Sequence, residues 1–599
     1  MTTEGTVLLV DSLSGGDRCM LFAAPREIVR AHTPDDARRA LARLDEAAGE
    51  GLWAAGYLAY ELGLLFEERL APLCPQRTAL PLLWFGLYDA PERMGIGQAR
   101  ALVGEWAAGR PGRAAGLSDT MDRAAYAKAF STVKDYIAAG DCYQVNLTFK
   151  ARFSLQGDPA GLYRDLLLKQ PVAYGAFVDA GDHHVLSCSP ELFVRRRGAE
   201  LETRPMKGTL GRGRTVAEDE AGRAALARDE KTLAENLMIV DLLRNDMGRI
   251  AEIGSVEVTD LFSIETYRSL HQMTSGIRAR LKPGLSAVGA LAHLFPCGSI
   301  TGAPKIRAME IVHEVEAEPR GLYTGAMGYI APDGDVCFNV AIRTAVIDGM
   351  GRGEIGIGGG IVADSELEAE YDEARLKMRF FTDPPQPVCL IETLLWERGR
   401  GFALLDRHMA RLDESAAYFQ IPLSPGAAET ALETAAKEFG AERMRVRLLL
   451  HEADGLSVTA TPLPDTGVAE PVRFLVAAEH TRSGDVFLYH KTTRRELYDT
   501  ARMDAARRHG VDEVVFVNER GELTEGSFTT LFLERDGLLV TPPVGAGLLP
   551  GTLRAELLAS GRAREETLRP GDLATADAVY LGNSVRGLLP AVRVMPDGQ

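Results

Sequence analysis

Two periodicities share the chain. Alternating apolar and polar residues in CYQVNLTFKARFSL (142–155) and HHVLSCSPELFVRR (183–196) send successive side chains to opposite faces, which predicts half-buried strands. Apolar residues three and four apart predict amphipathic helices in AAYAKAFSTVKDYIAAG (124–140), DEKTLAENLMIVDLLRND (229–246) and SELEAEYDEARLKMRFF (365–381). Later in the chain VCLIETLLW (388–396), RMRVRLLLH (443–451) and VRFLVAAE (472–479) predict strands, and HMARLDESAAYF (408–419) a helix. Helices and strands do not alternate regularly. The pattern therefore predicts an α+β fold with large antiparallel sheets, followed by a second α+β domain.

The strongest punctuation is Asp383-Pro384-Pro385-Gln386-Pro387. Three prolines in four residues cannot continue a helix or sit inside a sheet, so 383–388 is expected to be a stiff linker. A weaker seam, GRPGRAAGLSD (109–119), precedes the first long helix. The expected organisation is an N-terminal region 1–115, set off by that seam or by no more than a long surface loop, a larger part 116–382, the linker, and a second domain 389–599.

Composition narrows the function classes. The chain has 599 residues, 46% hydrophobic and 25% charged, which is ordinary globular usage. Its net charge of −17 and the lack of a basic block argue against binding nucleic acid or an anionic membrane. The seven cysteines have no CxxC spacing, so a disulfide framework is not expected and a reducing cytoplasm fits. The first residues, MTTEGTVLLVDS, do not form a signal peptide, and no run is apolar enough to predict a membrane span.

Several residues could carry chemistry. Glu235 lies mid-helix, and Glu370 and Glu373 lie one turn apart on a later helix with Lys377 four residues on. If those helices face each other, Glu235 and Glu373 could offer hard oxygen ligands to Mg²⁺; otherwise they are solvated ion-pairing faces. Three glycines, Gly358, Gly359 and Gly360, would let backbone N–H groups approach an anion. GRGEIG (351–356) matches GxGxxG but leads into a strand, so it is no dinucleotide fingerprint. GSITGAPK (298–305) precedes a helix and could cap it or receive a carboxylate. Lys207, between Pro205 and Gly208, is either a surface charge or, if buried, a neutral nucleophile.

SPELF, TRPMKGT, AENLMIVDLLRND, GSITGAPKIRAMEIV, GYI, AIRTA and GGGIVADSELEAEYDEA follow one another between residues 187 and 378. In this order they resemble the chorismate-utilising enzymes: anthranilate, aminodeoxychorismate, isochorismate and salicylate synthases. The likeness covers most of residues 119–381. TRPMKGT is similar to the PIKGT motif of the aminodeoxychorismate synthases, with Met206 in place of Ile. Gln144 stands where water-using members carry a lysine, which disfavours isochorismate chemistry. The resemblance implies that Lys207 attacks C2 of chorismate while Glu191 protonates the departing C4 hydroxyl. It implies that ammonia then attacks C4 and expels Lys207. It further implies Mg²⁺ on Glu235 and Glu373 with Glu370 close by, carboxylates held by Arg343, Tyr329, Thr301 and Gly358 to Gly360, Gln144 in the substrate site, and His271 near the ring. The chain has no GxCxG glutaminase loop, so a separate glutamine amidotransferase subunit is implied as the ammonia source.

FLYHKTTRRELYDTAR (487–502), GELTEGSFTTLFL (521–533), GTLR (551–554), YLGNSVRG (580–587) and DRHMARL (406–412) resemble the class IV aminotransferase fold of pyridoxal-phosphate enzymes, over about residues 386–595. The KTTxR and NSVRG forms are most similar to aminodeoxychorismate lyases; branched-chain and D-amino-acid aminotransferases share the fold. Lys491 would bind the cofactor and move the proton from substrate C4, and Glu525 would face the pyridine nitrogen. Arg411, Gly551, Thr552, Asn583 and Ser584 would hold the phosphate. Thr530 replaces the usual Asn, and GTLR replaces GITR. A homodimer through this domain is also implied. Together the halves imply p-aminobenzoate synthesis for folate. The alternative is an anthranilate synthase-like half joined to an aminotransferase.

Overall fold

A computed structural model describes residues 2–268, 270–382, 388–452, 455–464 and 470–595. Apart from Val388, the expected linker lies outside the described residues. The chain divides into two compact units, 1–211 with 223–386, and 212–222 with 387–599. Residues 212–222 thus group with the second unit although they precede much of the first.

The first unit is built on two large sheets. Among the described residues, one has ten strands and the other nine, with every ladder in them antiparallel. They contribute Phe85, Leu147, Leu186 and Phe338 to one apolar core, which helix Glu230–Ile250 joins through Ile239. Strand Arg352–Ile361 pairs with strand Gln144–Gly157 in unbroken register from Arg352↔Ser154 to Ile361↔Val145. A smaller three-stranded sheet joins Met206–Gly211, Leu270–Thr274 and Ser263–Thr266.

Strands from residues 1–115 are built into the two large sheets. Strand Thr6–Val10 pairs with Tyr174–Asp179, and Trp53–Leu58 pairs with Ala326–Ile330. These strands are apolar on both faces, so they are stable only inside a sheet supplied by later residues.

The long helices fall where the periodicity places them. Arg123–Ala139 starts at Asp122, whose carboxylate accepts the N–H of Ala125, and stops at Gly140 in the left-handed region. Glu230–Ile250 starts at Asp229, which accepts the N–H of Thr232 at 2.8 Å. Its face bearing Asn236, Ile239, Val240, Leu243 and Met247 is buried, which fixes the rotation of Glu235. Leu367–Leu376 carries Glu370 and Glu373.

In the second unit, a four-stranded antiparallel sheet contains Cys389–Glu397 and Arg443–His451. An eight-stranded mixed sheet contains Glu513–Asn518, Leu523–Gly526, Thr530–Arg535 and Ala578–Asn583. Both units are α+β.

Candidate active sites

The first site is a cleft of about 280 Å³ in the first unit. Glu191, Lys207, Glu235, Arg343, Gly358, Gly359, Gly360, Glu370 and Glu373 all line it. Lys207 and Glu235 meet through a glycine. Gly208 has φ +86°, and a Cβ there would stand 2.1 Å from Cγ2 of Thr232, so the lysine strand lies directly against the first turn of the glutamate helix. Gly358 allows a second close approach, since a Cβ there would lie 2.4 Å from the Leu147 carbonyl oxygen.

Glu191 is buried, and burial pushes its carboxyl up to about 7. The hydroxyl of Ser299, 2.5 Å from Oε1, and the positive charge of Lys207 partly oppose that rise. Lys207 is half-buried, and removal from water lowers its pKa, helped by the neighbouring ammonium of Lys377. Burial thus acts on both groups in the same sense, favouring the uncharged acid and the uncharged amine.

The three candidate metal carboxylates share the cleft. Burial raises Glu235 and Glu370, and each feels the other acids. Burial also acts to raise Glu373, but Lys377, 2.9 Å away, holds it below the usual range. Lys377 also donates to the Gly358 carbonyl at 3.1 Å. Among the described residues no three His, Cys, Asp or Glu side chains form a ready-made ion cage. Mutual repulsion in a partly buried acidic cluster still suits a divalent cation that takes one or two carboxylates and fills its shell with water and substrate oxygens. Arg343 lines the cleft with its Nη1 buried and without a hydrogen-bond partner, and its φ of 52° is an unusual conformation for a non-glycine residue; a planar guanidinium so placed fits a carboxylate.

Four residues expected in the substrate site do not line this cleft. Gln144 is buried behind it, its Nε2 2.1 Å from where a Cβ on Gly360 would stand. His271 is fully buried with Nδ1 3.0 Å from the Thr266 hydroxyl; strand alternation turns its neighbours Leu270 and Gln272 into the cleft instead. Thr301 is buried and donates to the Gly298 carbonyl at 3.1 Å, closing a turn, so Ser299 is the hydroxyl that reaches the site. Tyr329 lines a separate cavity with Arg93, Arg195 and Arg197; the tyrosine on the cleft wall is Tyr323. Gly356 makes room for it, because a Cβ there would fall 2.0 Å from the Tyr323 ring.

The second site is a cavity of about 420 Å³ within the second unit. Lys491, Arg411, Glu525, Gly551, Thr552, Asn583 and Ser584 all line it. Burial, together with the charges of Arg411 and Arg495, brings Lys491 down to about 8. Burial raises Glu525 to about 7 although Tyr498 donates to its Oε1 at 2.9 Å. The helix Thr552–Ala559 begins at the wall with Gly551 as its N-cap, so its first N–H groups face the cavity. A lysine with depressed basicity, a buried acid, an arginine and a helix start fit the aldehyde, ring nitrogen and phosphate of pyridoxal phosphate.

One supporting residue carried no signal in the sequence. Glu392, buried in strand Cys389–Glu397, accepts from Arg411 Nε at 2.9 Å and Nη2 at 2.7 Å, and from His408 Nδ1 at 2.5 Å. Asn583 is engaged in the loop itself, donating to the Phe528 carbonyl at 3.3 Å and accepting the N–H of Val585. Thr530, the departure from the usual Asn, lies on the wall 2.9 Å from where a Cβ on Gly551 would stand.

The fold and the two sites define a chain made of two enzyme classes. Residues 105–383 match the chorismate binding enzyme family and residues 389–594 match the class IV amino-transferase family. A relative from Streptomyces griseus, aminodeoxychorismate synthase, is 46% identical over 257 residues, covering 43% of this chain but 35% of that protein. Aminodeoxychorismate synthase component 1 of Salmonella typhimurium is 38% identical over 347 residues, covering 55% of this chain and 76% of that one. The crystal structure of anthranilate synthase component I from Streptococcus pneumoniae matches with a TM-score of 0.50 at 27% identity, covering 63% of this chain and 90% of that one. The chain spans about a third of the Streptomyces relative it matches. It belongs to the chorismate binding enzyme family and carries a class IV amino-transferase domain behind it.

Proposed function

We propose that the first unit converts chorismate and ammonia to 4-amino-4-deoxychorismate, and that the second removes pyruvate to leave p-aminobenzoate for folate synthesis. The observation that carries the reading is Lys207, a lysine made poorly basic by burial, beside the protonatable Glu191 in one cleft. The neutral amine of Lys207 bonds to C2 of the substrate ring as the C4–O bond breaks. Glu191 gives its proton to the departing hydroxyl, which leaves as water. Ammonia bonds to C4, the C2–N bond breaks, and Lys207 returns as a neutral amine. The carboxylate of Glu191 then takes the surplus proton from the new ammonium.

Glu235, Glu370 and Glu373 would hold Mg²⁺, which when bound neutralises a substrate carboxylate. Arg343 and the backbone of Gly358 to Gly360 orient the substrate's acid groups. In the second cavity, bound pyridoxal phosphate supplies an electron sink. Lys491 takes the C4 proton, the ring aromatises, and the enolpyruvyl C–O bond breaks. Glu525 would pair with the ring nitrogen, and Arg411, Thr552 and Ser584, which line the same cavity, would hold the phosphate.

The product of the first reaction is the substrate of the second, which supports reading the halves together. Ammonia is supplied by a separate glutamine amidotransferase subunit. The protein works in the cytoplasm, consistent with the absence of a helix long and apolar enough to cross a membrane among the described residues, and pairs as a homodimer through its second domain. The test is product analysis from chorismate and ammonium with Mg²⁺ and pyridoxal phosphate. p-Aminobenzoate is expected; anthranilate as the sole product overturns the proposal.

A further inference from the structure

Behind the second cavity lies a histidine that the proposed chemistry does not use. His408, on helix Leu405–Phe419, is buried between a carboxylate and two hydroxyls. Its Nδ1 is 2.5 Å from Oε2 of Glu392. Its Nε2 is 3.0 Å from the Ser584 hydroxyl and 3.3 Å from the Thr552 hydroxyl. Those two hydroxyls, one on helix Thr552–Ala559 and one just after strand Ala578–Asn583, both face this ring.

The protonation pattern follows from the partners. Arg411 binds Glu392 with two N–H groups and holds it ionised, well below the usual carboxylate range although burial opposes this. An ionised Glu392 only accepts, so Nδ1 carries the hydrogen. In the neutral ring Nε2 then has a lone pair and no hydrogen. The Ser584 hydroxyl can satisfy it, with the Thr393 carbonyl, 3.4 Å away, as its weaker alternative. Thr552 competes for the same single lone pair. In this state the hydroxyl that occupies it turns its hydrogen toward the ring and its lone pairs toward the cavity. A phosphate dianion entering there meets acceptors where it needs donors.

One added proton removes this acceptor from both hydroxyls. With Nε2–H present, the ring donates to the oxygens of Ser584 and Thr552, and each hydroxyl hydrogen becomes free to point at phosphate. We propose that His408 is a positioning residue that takes up one proton when a phosphoester enters this cavity, converting Ser584 and Thr552 from acceptors to donors. The inference rests on the pyridoxal-phosphate reading of the cavity. The surrounding charges fit a ring that stays neutral until an anion arrives. Burial and the cations Arg411 and Lys491 lower its pKa, Glu392 raises it, and the net direction is down. An incoming dianion on the far side of the two hydroxyls adds the missing negative charge.

The test is calorimetry on the apoprotein with pyridoxine 5′-phosphate, whose alcohol cannot bond to Lys491. Titrations at about pH 8, where the phosphoester is already a dianion, are run in two buffers of different ionisation enthalpy. Lys491, at about 8, also titrates in this range, so the uptake assigned to His408 is the difference between proteins: the wild type should take up about one proton per site more than His408→Gln, and its affinity should fall more steeply with pH on the alkaline side. His408→Gln places an amide N–H near the Nε2 position, so it should still bind, with only the uptake that Lys491 supplies. His408→Ala should bind weakly at every pH. If His408→Gln does not fold, the Ser584→Ala/Thr552→Val pair should likewise lower the uptake by about one proton. Absence of uptake in the wild type, or equal uptake in His408→Gln, overturns the proposal. Reconstitution with pyridoxal 5′-phosphate separates the two claims. A visible cofactor band without the extra uptake of the wild type sinks the inference alone, whereas no binding of either phosphoester sinks the reading and the inference together.

Discussion

The hydroxyl of Ser299 lies 2.5 Å from Oε1 of Glu191 and stabilises its ionised form. This contact sets the upper pH at which Glu191 can still deliver a proton. Ser299→Ala should raise the Glu191 pKa above its present value near 7, by roughly 0.4 to 1 unit for a hydrogen bond of ordinary net strength. In the kcat/KM profile for aminodeoxychorismate formation, the wild type should lose activity as pH rises through about 7, and the variant should hold activity higher. An unmoved alkaline limb would mean that Glu191 is not the acid.

Glu191→Gln keeps the shape of the side chain but cannot give up a proton. It should lower amination by about 10²- to 10⁴-fold, with little change in chorismate affinity measured by direct binding. Lys207→Ala should fall at least as far even with excess ammonium. If Lys207→Ala retains wild-type turnover, covalent participation of the lysine is excluded.

The two catalytic lysines should fail independently. Lys491→Ala should abolish the visible absorption of bound cofactor and release 4-amino-4-deoxychorismate without p-aminobenzoate, quantified by chromatography. Mixing it with Lys207→Ala should restore p-aminobenzoate, because each variant retains the half that the other has lost.

Glu316 and Arg320 form a buried ion pair at 2.7 Å, and Glu316 also accepts from the N–H and hydroxyl of Thr148 at 2.9 Å each. The pair braces the chain just before Tyr323, on the cleft wall. Arg320→Met should strand the carboxylate and destabilise the first unit by about 3–5 kcal/mol, read as a lower urea midpoint.

Glu392 makes a distinct pH prediction. Its folded pKa is depressed to about 2, so its stabilising effect is complete above the ordinary carboxylate value of 4.5 and disappears as pH falls from there through about 2. The difference in thermal stability between the wild type and Glu392→Gln should be large at neutral pH and shrink across that window. A constant difference would show that the Arg411–Glu392–His408 network does not depend on the carboxylate's charge.

The ordered motifs made the fold class legible because each sets a local constraint. Glycines 358 to 360 need an open backbone, and the paired glutamates need a helical repeat. All seven cofactor-site residues in the second unit share one cavity, as do nine of the candidates in the first. What the sequence could not resolve was which of two near neighbours faces inward. His271 and Gln272 differ by one strand position, which reverses direction. Ser299 and Thr301 sit in a tight turn whose hydrogen bonds decide which hydroxyl points out. Tyr323 and Tyr329 flank a strand start, and only the space above Gly356 selects the former. Glu392 was invisible for another reason: in CLIETLLW it reads as one polar residue in an apolar strand, and its partners come from elsewhere in the chain.

The sheet order of the first unit has a consequence for biosynthesis. Strand Trp53–Leu58 closes its ladder with Ala326–Ile330, and Thr6–Val10 with Tyr174–Asp179. A ribosome adding roughly 5–20 residues per second therefore leaves the earliest apolar strands without their later neighbours for many seconds. Entropy of closing such long loops delays the pairing further. The nascent polypeptide should depend on chaperone capture more than its finished stability would suggest, and release of a truncated product ending near residue 300 should aggregate.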